Sequence, residues 1–144
     1  MGNIVVWLIG LSGAGKTTIA EAAARRYGAE LLDGDTIRDF FSNNDFSRQG
    51  RERHLLGIAK MARLMSKHTP VLCSFITPYE DVRERILEIL PKNSTMVHVS
   101  TSLEVCEDRD VKGLYAKARS GEISNFTGIS DPFDEPQCAH MTLD

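Results

Sequence analysis

The amino-acid sequence predicts an α/β fold in which helices cover both faces of a mostly parallel sheet of about five strands. Strand-like and helix-like segments alternate along the chain, with no internal repeat and no low-complexity linker between them. The first segment, IVVWLI, is continuously apolar, which is typical of a central strand that is covered on both faces. The 144 residues, 42% of them hydrophobic, suffice for one domain with a substantial core and are too few for two. We therefore expect a single domain over residues 1–144.

Apolar spacing, glycine and proline place the elements in order along the chain. The predicted strands cover Ile4–Ile9, Ala29–Leu32, Val71–Ile76 and Thr95–Val99, and residues 140–144, HMTLD, begin a fifth. The predicted helices cover Lys16–Tyr27, about Arg51–Ser66, the amphipathic part of residues 77–90 and a short stretch from about Leu103. Residues 109–136 are rich in charged residues, glycine and proline. We expect this last stretch to be a lid or a long functional loop, because such lengths are seldom spent on connection alone.

The composition narrows the classes of partner. The formal net charge of −3 gives no overall basic field, so no nucleic-acid partner is expected and any anion site must be local. Cys73, Cys106 and Cys138 are scattered without C-x-x-C spacing, which indicates neither a zinc site nor a disulfide framework. No apolar run approaches the roughly 18 residues that span a bilayer, and the first one leads into a Gly-rich turn rather than a cleavage site. We therefore expect a cytoplasmic protein with reduced thiols and no membrane partner.

Residues 10–18, GLSGAGKTT, fit the pattern G-x-x-x-x-G-K-[ST] between a predicted strand and a predicted helix. Glycines let consecutive backbone N–H groups point at phosphate oxygens, and the following helix adds the positive end of its dipole. Lys16 then reaches the β- and γ-phosphates of a nucleotide, and the Thr17 hydroxyl ligates Mg²⁺. An ordinary Gly-rich turn would explain the glycines and leave the Lys-Thr pair unexplained. The predicted nucleotide site consists of Gly10, Leu11, Ser12, Gly13, Ala14, Gly15, Lys16, Thr17 and Thr18.

This P-loop alone does not identify the group that receives the phosphate, since switches, motors and small-molecule kinases share it. A second segment, LDGDTIR, places Asp33 and Asp35 directly after a short strand, with Arg38 three residues further on. DGD is also a common turn sequence. In a parallel sheet, however, the carboxyl ends of the strands form the ligand crevice, so both carboxylates are expected to face the phosphate site.

Five segments together resemble the adenylylsulfate kinase family in their order and spacing. They are GLSGAGKTT, LDGDTIR, SFITPYE, RDVKGLYAKARSGEI and FTGISDPFDEP, and the resemblance covers nearly the whole chain. It implies a three-layer P-loop kinase fold, ATP with Mg²⁺ as the donor, and a homodimer. It also implies that the acceptor is the ribose 3′-hydroxyl of adenosine 5′-phosphosulfate and that the product is 3′-phosphoadenylylsulfate, the activated sulfate of sulfate assimilation.

The resemblance implies roles for residues on the acceptor side. Asp35 matches the acidic residue near the acceptor hydroxyl, where it would orient or deprotonate that hydroxyl and touch the Mg²⁺ shell through water. Arg38 and Arg51 match arginines that hold the phosphosulfate, for which a planar guanidinium is well suited. Phe46 and Phe126 match aromatic residues on either side of the substrate adenine, although both are also plausible as ordinary core residues.

Further matches concern the third strand and the lid. Ile76 and Thr77 would lie beside the substrate; Thr77 stands where some relatives have a serine that accepts a phosphoryl group, and we expect it to line the substrate instead. Lys112 matches a lid lysine that approaches the transferring phosphates, which makes Lys16, Asp35 and Lys112 the expected catalytic residues. Arg109 resembles a donor-side lid residue, with a solvated ion pair as the alternative. The implied reaction is a direct in-line transfer under a lid that excludes water.

The segment FSRQGRERHLLG departs from the usual family pattern. Gly50 stands where an acidic residue is usual, His54 where an asparagine is usual, and Leu56 with Gly57 where one or two arginines are usual. His54 would still hydrogen-bond a ribose or phosphosulfate oxygen, with a pH dependence that asparagine lacks. These changes leave open a same-family kinase for another nucleotide 3′-hydroxyl, such as that of cytidine diphosphoramidate.

The chain also ends where family members continue into a final helix that covers one face of the sheet. The sequence leaves open a natural short form, a covering partner subunit, and association with a sulfurylase. A second alternative is a nucleotide-binding regulatory domain with weak catalysis. The complete set of phosphate-handling residues argues against this alternative, because a decayed site has no reason to keep them.

Overall fold

The computed structural model describes residues 3–144 and contains one parallel sheet with the strand order β2-β3-β1-β4-β5. The strands are β1 (Val5–Ile9), β2 (Glu30–Asp33), β3 (Val71–Ser74), β4 (Thr95–Val99) and β5 (Met141–Leu143). The helices are α1 (Lys16–Tyr27), α2 (Gly34–Phe40), α3 (Arg48–Met65), α4 (Glu80–Ile89), α5 (Leu103–Arg109) and α6 (Leu114–Arg119). The predicted parallel five-stranded α/β fold is therefore confirmed.

The central position of β1 explains its continuous apolar sequence. It pairs in parallel with β3 on one side and with β4 on the other. Trp7 and Ile9 belong to a core cluster that contains side chains of α3 and α4, whereas Leu8 belongs to a second cluster with side chains of α1, α5 and α6. Alternate residues of one strand thus point to opposite faces, and helices cover both.

Several boundaries differ from those predicted. The structure has helix α2 starting at Gly34, within the DGD segment, where no helix was predicted. α2 buries none of its residues, so it carries no amphipathic pattern to detect. Helix α3 begins three residues earlier than expected, because Ser47 caps it by accepting a hydrogen bond from the Gly50 N–H at 3.0 Å. Strand β3 ends at Ser74 instead of Ile76.

The stretch expected to be a lid or a long loop contains a short helix, α6. Asp110 adopts a left-handed conformation at the end of α5, and its carboxylate accepts hydrogen bonds from the backbone N–H groups of Tyr115 and Ala116. This local cap starts the helix without any apolar periodicity in the sequence. Elsewhere, no helix within residues 3–144 has both the length and the apolar character needed to cross a bilayer.

The direction of the strands decides where ligands are expected. All the pairings are parallel, so the carboxyl ends of β1, β2 and β3 lie along one edge of the sheet. The P-loop follows β1, the DGD segment begins at the last residue of β2, and residues 75–78 follow β3. Three of the sequence segments that predict function are therefore adjacent at the edge where open α/β sheets bind ligands.

Candidate active site

A cleft of about 620 Å³ lies at this edge, between the P-loop, α2, α3 and the residues that follow α5. Most of the predicted site residues line it; they are Ser12, Gly13, Gly15, Lys16, Thr17, Thr18, Asp35, Arg38, Phe46, Arg51, His54, Ile76, Thr77, Arg109, Lys112 and Phe126. Gly10, Leu11 and Ala14 belong to the P-loop without lining the cleft. One cavity thus joins the predicted donor and acceptor residues.

The P-loop geometry depends on Gly15 and Lys16. Gly15 has φ +103°, a conformation that favours glycine, and it forms the N-cap of α1. Lys16 is the first residue of α1, and its Nζ donates a hydrogen bond to the Leu11 carbonyl at 2.8 Å. Only 8% of Lys16 is exposed. Burial, assisted by the nearby charge of Lys112, lowers the pKa of Lys16 to about 8.

A hydroxyl and a carboxylate lie side by side at the base of the cleft. The Thr17 hydroxyl donates a hydrogen bond to Asp33 Oδ1 at 2.7 Å, which leaves the lone pairs of the hydroxyl oxygen available to a cation. Within residues 3–144 no group of three or more His, Cys, Asp or Glu side chains could hold a metal by itself. Mg²⁺ in kinases is held by one or two protein oxygens together with substrate phosphates, so the Thr17–Asp33 pair fits it. The sequence led us to expect Asp33 to face the phosphate site, without a binding role, and the structure places its carboxylate beside Thr17.

Asp35 and Lys112 meet across the mouth of the cleft. Lys112 Nζ donates a hydrogen bond to Asp35 Oδ2, and both side chains are largely exposed to solvent. Nearby, Arg109 Nη1 donates to the Gly13 carbonyl at 3.2 Å, and the Tyr115 hydroxyl donates to the Ser12 carbonyl at 2.7 Å. The start of the lid is therefore attached to the P-loop, which brings Lys112 over the phosphate site.

Arg38 lies beside Phe46 at the acceptor end of the cleft. Its guanidinium carbon is 4.1 Å from the centroid of the Phe46 ring, a cation–π contact. Arg38 Nη1 also donates to the carbonyls of Asn43 and Asp45, each at 3.3 Å. These contacts hold the loop between α2 and α3 against the cleft. Phe46 keeps 43% of its surface exposed, so it is not an ordinary core residue here.

Arg51 connects α3 to the lid. Its guanidinium donates hydrogen bonds to the Asn125 carbonyl and the Thr127 hydroxyl, and it lies 3.9 Å from Asp131 Oδ2. Asn125 and Thr127 flank Phe126, so Arg51 fixes the backbone that carries this ring. The rings of Tyr115 and Phe126 are in an edge-to-face contact, with centroids 5.0 Å apart. The sequence suggested a phosphosulfate ligand at Arg51 and contained no sign of this second task, because its partners lie 74 to 80 positions away.

The segment after β3 is held by the protein interior. Thr77 has φ +51° and 1% exposure, and its hydroxyl donates to the Phe75 carbonyl at 3.0 Å. The same hydroxyl accepts a hydrogen bond from Trp7 Nε1 at 2.9 Å, and Arg83 Nε donates to the Thr77 carbonyl at 2.8 Å. A hydroxyl engaged in this way supports the expected lining role rather than phosphoryl acceptance.

His54 lies within α3 on the wall of the cleft. Burial and the positive charge of Arg38 lower the pKa of His54 to about 4. The imidazole is therefore neutral near pH 7, and the pH dependence expected from the sequence falls below the physiological range. The rings of His54 and Phe75 are in an edge-to-face contact, with centroids 6.2 Å apart.

The other departures from the family pattern lie outside the cleft. A Cβ built on Gly50 would approach the Asp45 carboxyl group to 2.2 Å, so the Asp45 carboxylate occupies the space beside this backbone. Leu56 packs against the core cluster of the α3 face, and a Cβ on Gly57 would meet nothing within 4 Å. Of the four changed positions, only His54 lines the cleft.

A parallel sheet whose first strand leads into a phosphate loop, with a carboxylate-bearing strand end on the opposite side of the same cleft, is the arrangement of the P-loop kinases. This chain has that arrangement, and the comparisons with known proteins identify its family.

A family model described as adenylylsulphate kinase matches residues 2–144. The adenylyl-sulfate kinase of Halothermothrix orenii is 46% identical over 148 aligned residues, which cover 98% of this chain and 80% of that protein. The adenylyl-sulfate kinase of Bacteroides thetaiotaomicron is 45% identical and covers 99% of this chain, with 75% of its own length aligned. The solved structure of the Mycobacterium tuberculosis APS kinase CysC in complex with AMPPNP and APS superposes with a TM-score of 0.92 at 32% identity, over 99% of this chain and 88% of that one. The chain belongs to the adenylylsulfate kinase family.

Proposed function

We propose that this protein transfers the γ-phosphoryl group of ATP to the ribose 3′-hydroxyl of adenosine 5′-phosphosulfate. The observation that carries the proposal is the contact between Lys112 and Asp35, which joins the phosphate loop side of the cleft to the acceptor side. The Mycobacterium tuberculosis relative was solved with AMPPNP and APS, a donor analogue and an acceptor nucleotide together.

On the donor side, the P-loop amides and Lys16 bind the β- and γ-phosphates. Thr17, with Asp33 as its hydrogen-bond partner, is the residue that would hold Mg²⁺, and Asp35 would reach its hydration shell through water. When bound, Mg²⁺ supplies charge neutralisation at the transferring phosphoryl group. Lys112 exchanges its contact with Asp35 for a contact with the γ-phosphoryl oxygens. Its positive charge there stabilises the negative charge that develops as the bond to the leaving oxygen lengthens.

On the acceptor side, Asp35 accepts the proton of the 3′-hydroxyl and aims its oxygen at the phosphorus. Phe46, Phe126, Arg38 and Arg51 all line the cleft. We assign the two rings to the two faces of the adenine and the two arginines to the phosphosulfate. The attachment of the lid to α3 through Arg51 keeps the acceptor end closed against water, which would otherwise hydrolyse ATP.

A second candidate acceptor is another nucleotide 3′-hydroxyl, such as that of cytidine diphosphoramidate. The observation that favours it is His54, which replaces the usual asparagine on the wall of the cleft itself. We also propose a homodimer and a cytoplasmic location. The location is supported by the three free cysteines, which fit a reducing compartment.

The decisive experiment incubates the protein with Mg·ATP and a panel of nucleotides that includes adenylylsulfate and a cytidine acceptor, while ADP release is measured. Turnover with adenylylsulfate alone supports the proposal, and turnover with the cytidine acceptor supports the second candidate. Absence of turnover with every nucleotide would leave a regulatory nucleotide-binding role.

The role of Asp35 gives a separate prediction. Asp35→Ala is expected to lower kcat by about 100-fold or more, because a positioned base contributes roughly that much to proton transfer. The Kd of ATP, measured by calorimetry, is expected to stay within about twofold, since Lys16 and the P-loop amides are unchanged. Asp39→Ala on the exposed surface of the same helix is the matched control. A near-normal kcat for Asp35→Ala would contradict the assignment.

A further inference from the structure

Four consecutive backbone carbonyls of the P-loop, those of residues 11–14, each accept a hydrogen bond from a side chain. The donors, in order along the loop, are Lys16 Nζ, the Tyr115 hydroxyl, Arg109 Nη1 and the Thr101 hydroxyl. A carbonyl that is held by such a donor is not free to turn towards a phosphate. These hydrogen bonds therefore bear on the orientation of the peptide units whose N–H groups bind phosphate in a P-loop.

Thr101 holds the peptide unit between Ala14 and Gly15. Its hydroxyl donates to the Ala14 carbonyl at 2.8 Å. Thr101 does not line the cleft, whereas Gly15 does. Within residues 3–144 every peptide bond is trans, so the C=O and the N–H of one unit point in opposite directions. Because its carbonyl is turned away towards Thr101, this unit presents the Gly15 N–H to the phosphate side of the loop.

Tyr115 holds the unit between Ser12 and Gly13 in the same way. Its hydroxyl donates to the Ser12 carbonyl at 2.7 Å, and only 2% of the residue is exposed. Burial raises the pKa of Tyr115, so the hydroxyl keeps the proton that it donates. Gly13 lines the cleft and Tyr115 does not, so the Gly13 N–H faces the phosphate side. The unit between Gly13 and Ala14 differs, because the Ala14 N–H donates to the Leu11 carbonyl at 3.1 Å.

The two glycines make these orientations depend on the hydroxyl groups. Gly13 and Gly15 have φ of +80° and +103°, and glycine adopts positive and negative φ about equally readily. A Cβ on Gly15 would meet nothing within 4 Å, so close packing does not hold its backbone. Rotation of either peptide unit would turn a carbonyl oxygen towards the phosphates and the N–H away from them. A hydrogen bond to each carbonyl opposes that rotation.

We propose that Thr101 and Tyr115 are positioning residues, which hold the peptide units 14–15 and 12–13 with their N–H groups directed at the nucleotide phosphates. This role rests on the donor half of the proposed function, the binding of ATP, and adds to it two residues that act through the P-loop backbone. The N–H groups are then oriented before the nucleotide arrives, so binding does not bear the cost of ordering them.

The test removes each hydroxyl and keeps the shape of the side chain. Thr101→Val and Tyr115→Phe are each expected to raise the Kd of Mg·ATP, measured by calorimetry, about fivefold, the effect of one lost hydrogen bond. Thr101→Ser keeps a hydroxyl and is expected to hold the Kd within about twofold of that of the unaltered protein. An unchanged Kd in both Thr101→Val and Tyr115→Phe would overturn the proposal.

Two variants with the same chemical changes control for a general loss of stability. Thr69→Val removes a half-buried hydroxyl that donates to the Pro70 carbonyl at 3.3 Å, next to the first residue of β3. Tyr79→Phe removes the hydroxyl of a tyrosine that is as buried as Tyr115 but belongs to the core cluster on the other face of the sheet. Both are expected to leave the Kd of Mg·ATP within about twofold. A rise in these controls equal to that in Thr101→Val would also overturn the proposal.

Amide ¹H–¹⁵N spectra report which hydroxyl acts on which glycine without any reaction. In the free protein, Thr101→Val is expected to shift the signal of Gly15 more than that of Gly13, and Tyr115→Phe is expected to do the reverse. Saturation of the unaltered protein with Mg·ATP is expected to shift both signals, because both N–H groups then donate to phosphate oxygens. Glycine signals that do not respond to bound ATP would sink the inference. Absence of turnover with every nucleotide, by contrast, would count against the proposed function and leave these binding results standing.

Discussion

Lys16 combines burial with a positive charge that phosphate binding requires. Removal from water disfavours its ammonium form, and the neighbouring charge of Lys112 disfavours it further, so its pKa falls to about 8. Asp33 and Asp35 counteract these effects without cancelling them. Phosphates bound in the P-loop supply the negative charge that restores the protonated form.

We predict that ATP binding weakens as the pH rises through about 8, because the free protein must then take up a proton to bind. With a pKa of about 8, the Kd of ATP is expected to rise about fivefold between about pH 8 and pH 9, where the phosphates of ATP are already fully ionised. Calorimetry in buffers of different ionisation enthalpy measures both the Kd and the proton uptake. Lys112→Met is expected to move the weakening to higher pH, since it removes a repelling charge.

A Kd that stays constant up to about pH 9.5 would contradict this prediction.

The lowered pKa of Lys16 also affects the folding stability of the free protein. Between the lowered value of about 8 and the ordinary value of 10.5, the unfolded chain binds more protons than the folded one. Stability contributed by this group therefore rises with pH over that interval, the opposite of the trend in ATP affinity.

Single residues differ in how far the sequence could predict their tasks. The positions of Lys16 and Thr17 at the start of α1, beside the cleft, were predictable because the P-loop is a local motif, and their phosphate and Mg²⁺ roles stay predictions. The contact of Asn43 with His54 spans 11 positions, and those of Arg51 with Asn125 and Thr127 span more than 70. Such contacts depend on how α3 and the lid pack, and no local pattern records them.

The packing at the N-terminus of α3 explains why a glycine, Gly50, stands in this helix. Gly50 lies in the first turn, where a glycine ordinarily costs about 1 kcal/mol relative to alanine. The Asp45 carboxylate fills the space that a Cβ at this position would need, and it is held there by hydrogen bonds from the backbone N–H and the hydroxyl of Ser47. The Asp45 carboxylate of the preceding loop therefore occupies the space beside Gly50.

We predict that the effect of Gly50→Ala on the free energy of unfolding has opposite signs in the presence and absence of the Asp45 carboxylate. In the unaltered protein it is expected to lower the free energy of unfolding, because the Asp45 carboxylate must move out of its contacts with Ser47. In an Asp45→Ala background it is expected to raise the free energy of unfolding by about 1 kcal/mol, the ordinary helix preference. Urea titrations measure both, and Gly57→Ala, whose Cβ meets nothing within 4 Å, is the control that should stabilise in either background. The same effect of Gly50→Ala in both backgrounds would contradict the packing argument.

The elements that the sequence missed are short. Helices α2 and α6 have seven and six residues, and neither presents an apolar face long enough for a 3.6-residue period to emerge. By contrast, strands β1 to β4 and the longer helices were placed nearly correctly, because burial on one or both faces imposes their composition. Helix α6 begins because of a local cap, the Asp110 carboxylate, and this helix has no apolar periodicity that the sequence could reveal.

At the scale of the whole molecule, two arginines join segments that are distant in sequence. Arg51 joins α3 to the lid, and Arg83 joins α4 to the segment that leads into β5. Arg83 has no exposed surface; its Nη1 donates to Glu80 Oε1 and to the Asp134 carbonyl, each at 2.9 Å. Glu80 Oε2 in turn accepts hydrogen bonds from the backbone N–H groups of Gln137 and Cys138. The Glu80–Arg83 pair is therefore one of the contacts that hold the edge strand β5 in place. The order of the strands in the sheet was not predictable from the lengths of the sequence segments.

The Glu80–Arg83 pair gives the last prediction. Burial alone would raise the pKa of Glu80, but hydrogen bonds from Arg83 and from the backbone lower it overall, so the carboxylate is charged at neutral pH. Arg83→Met is expected to lower the free energy of unfolding by about 3 kcal/mol, because it leaves that charge without its partner in a mostly buried position. Glu80→Gln with Arg83→Met is expected to cost less than the sum of the two single changes.

Arg85→Met on the same helix is the matched control, since its ion pair with Glu52 is partly exposed and is expected to contribute less than about 1 kcal/mol. Urea titration at neutral pH measures all four variants. Arg83 also holds the Thr77 carbonyl, so Arg83→Met is expected to raise the KM for the acceptor, whereas Arg85→Met is not. Equal losses of stability for Arg83→Met and Arg85→Met would mean that the connection to β5 rests on apolar packing instead of on this buried pair.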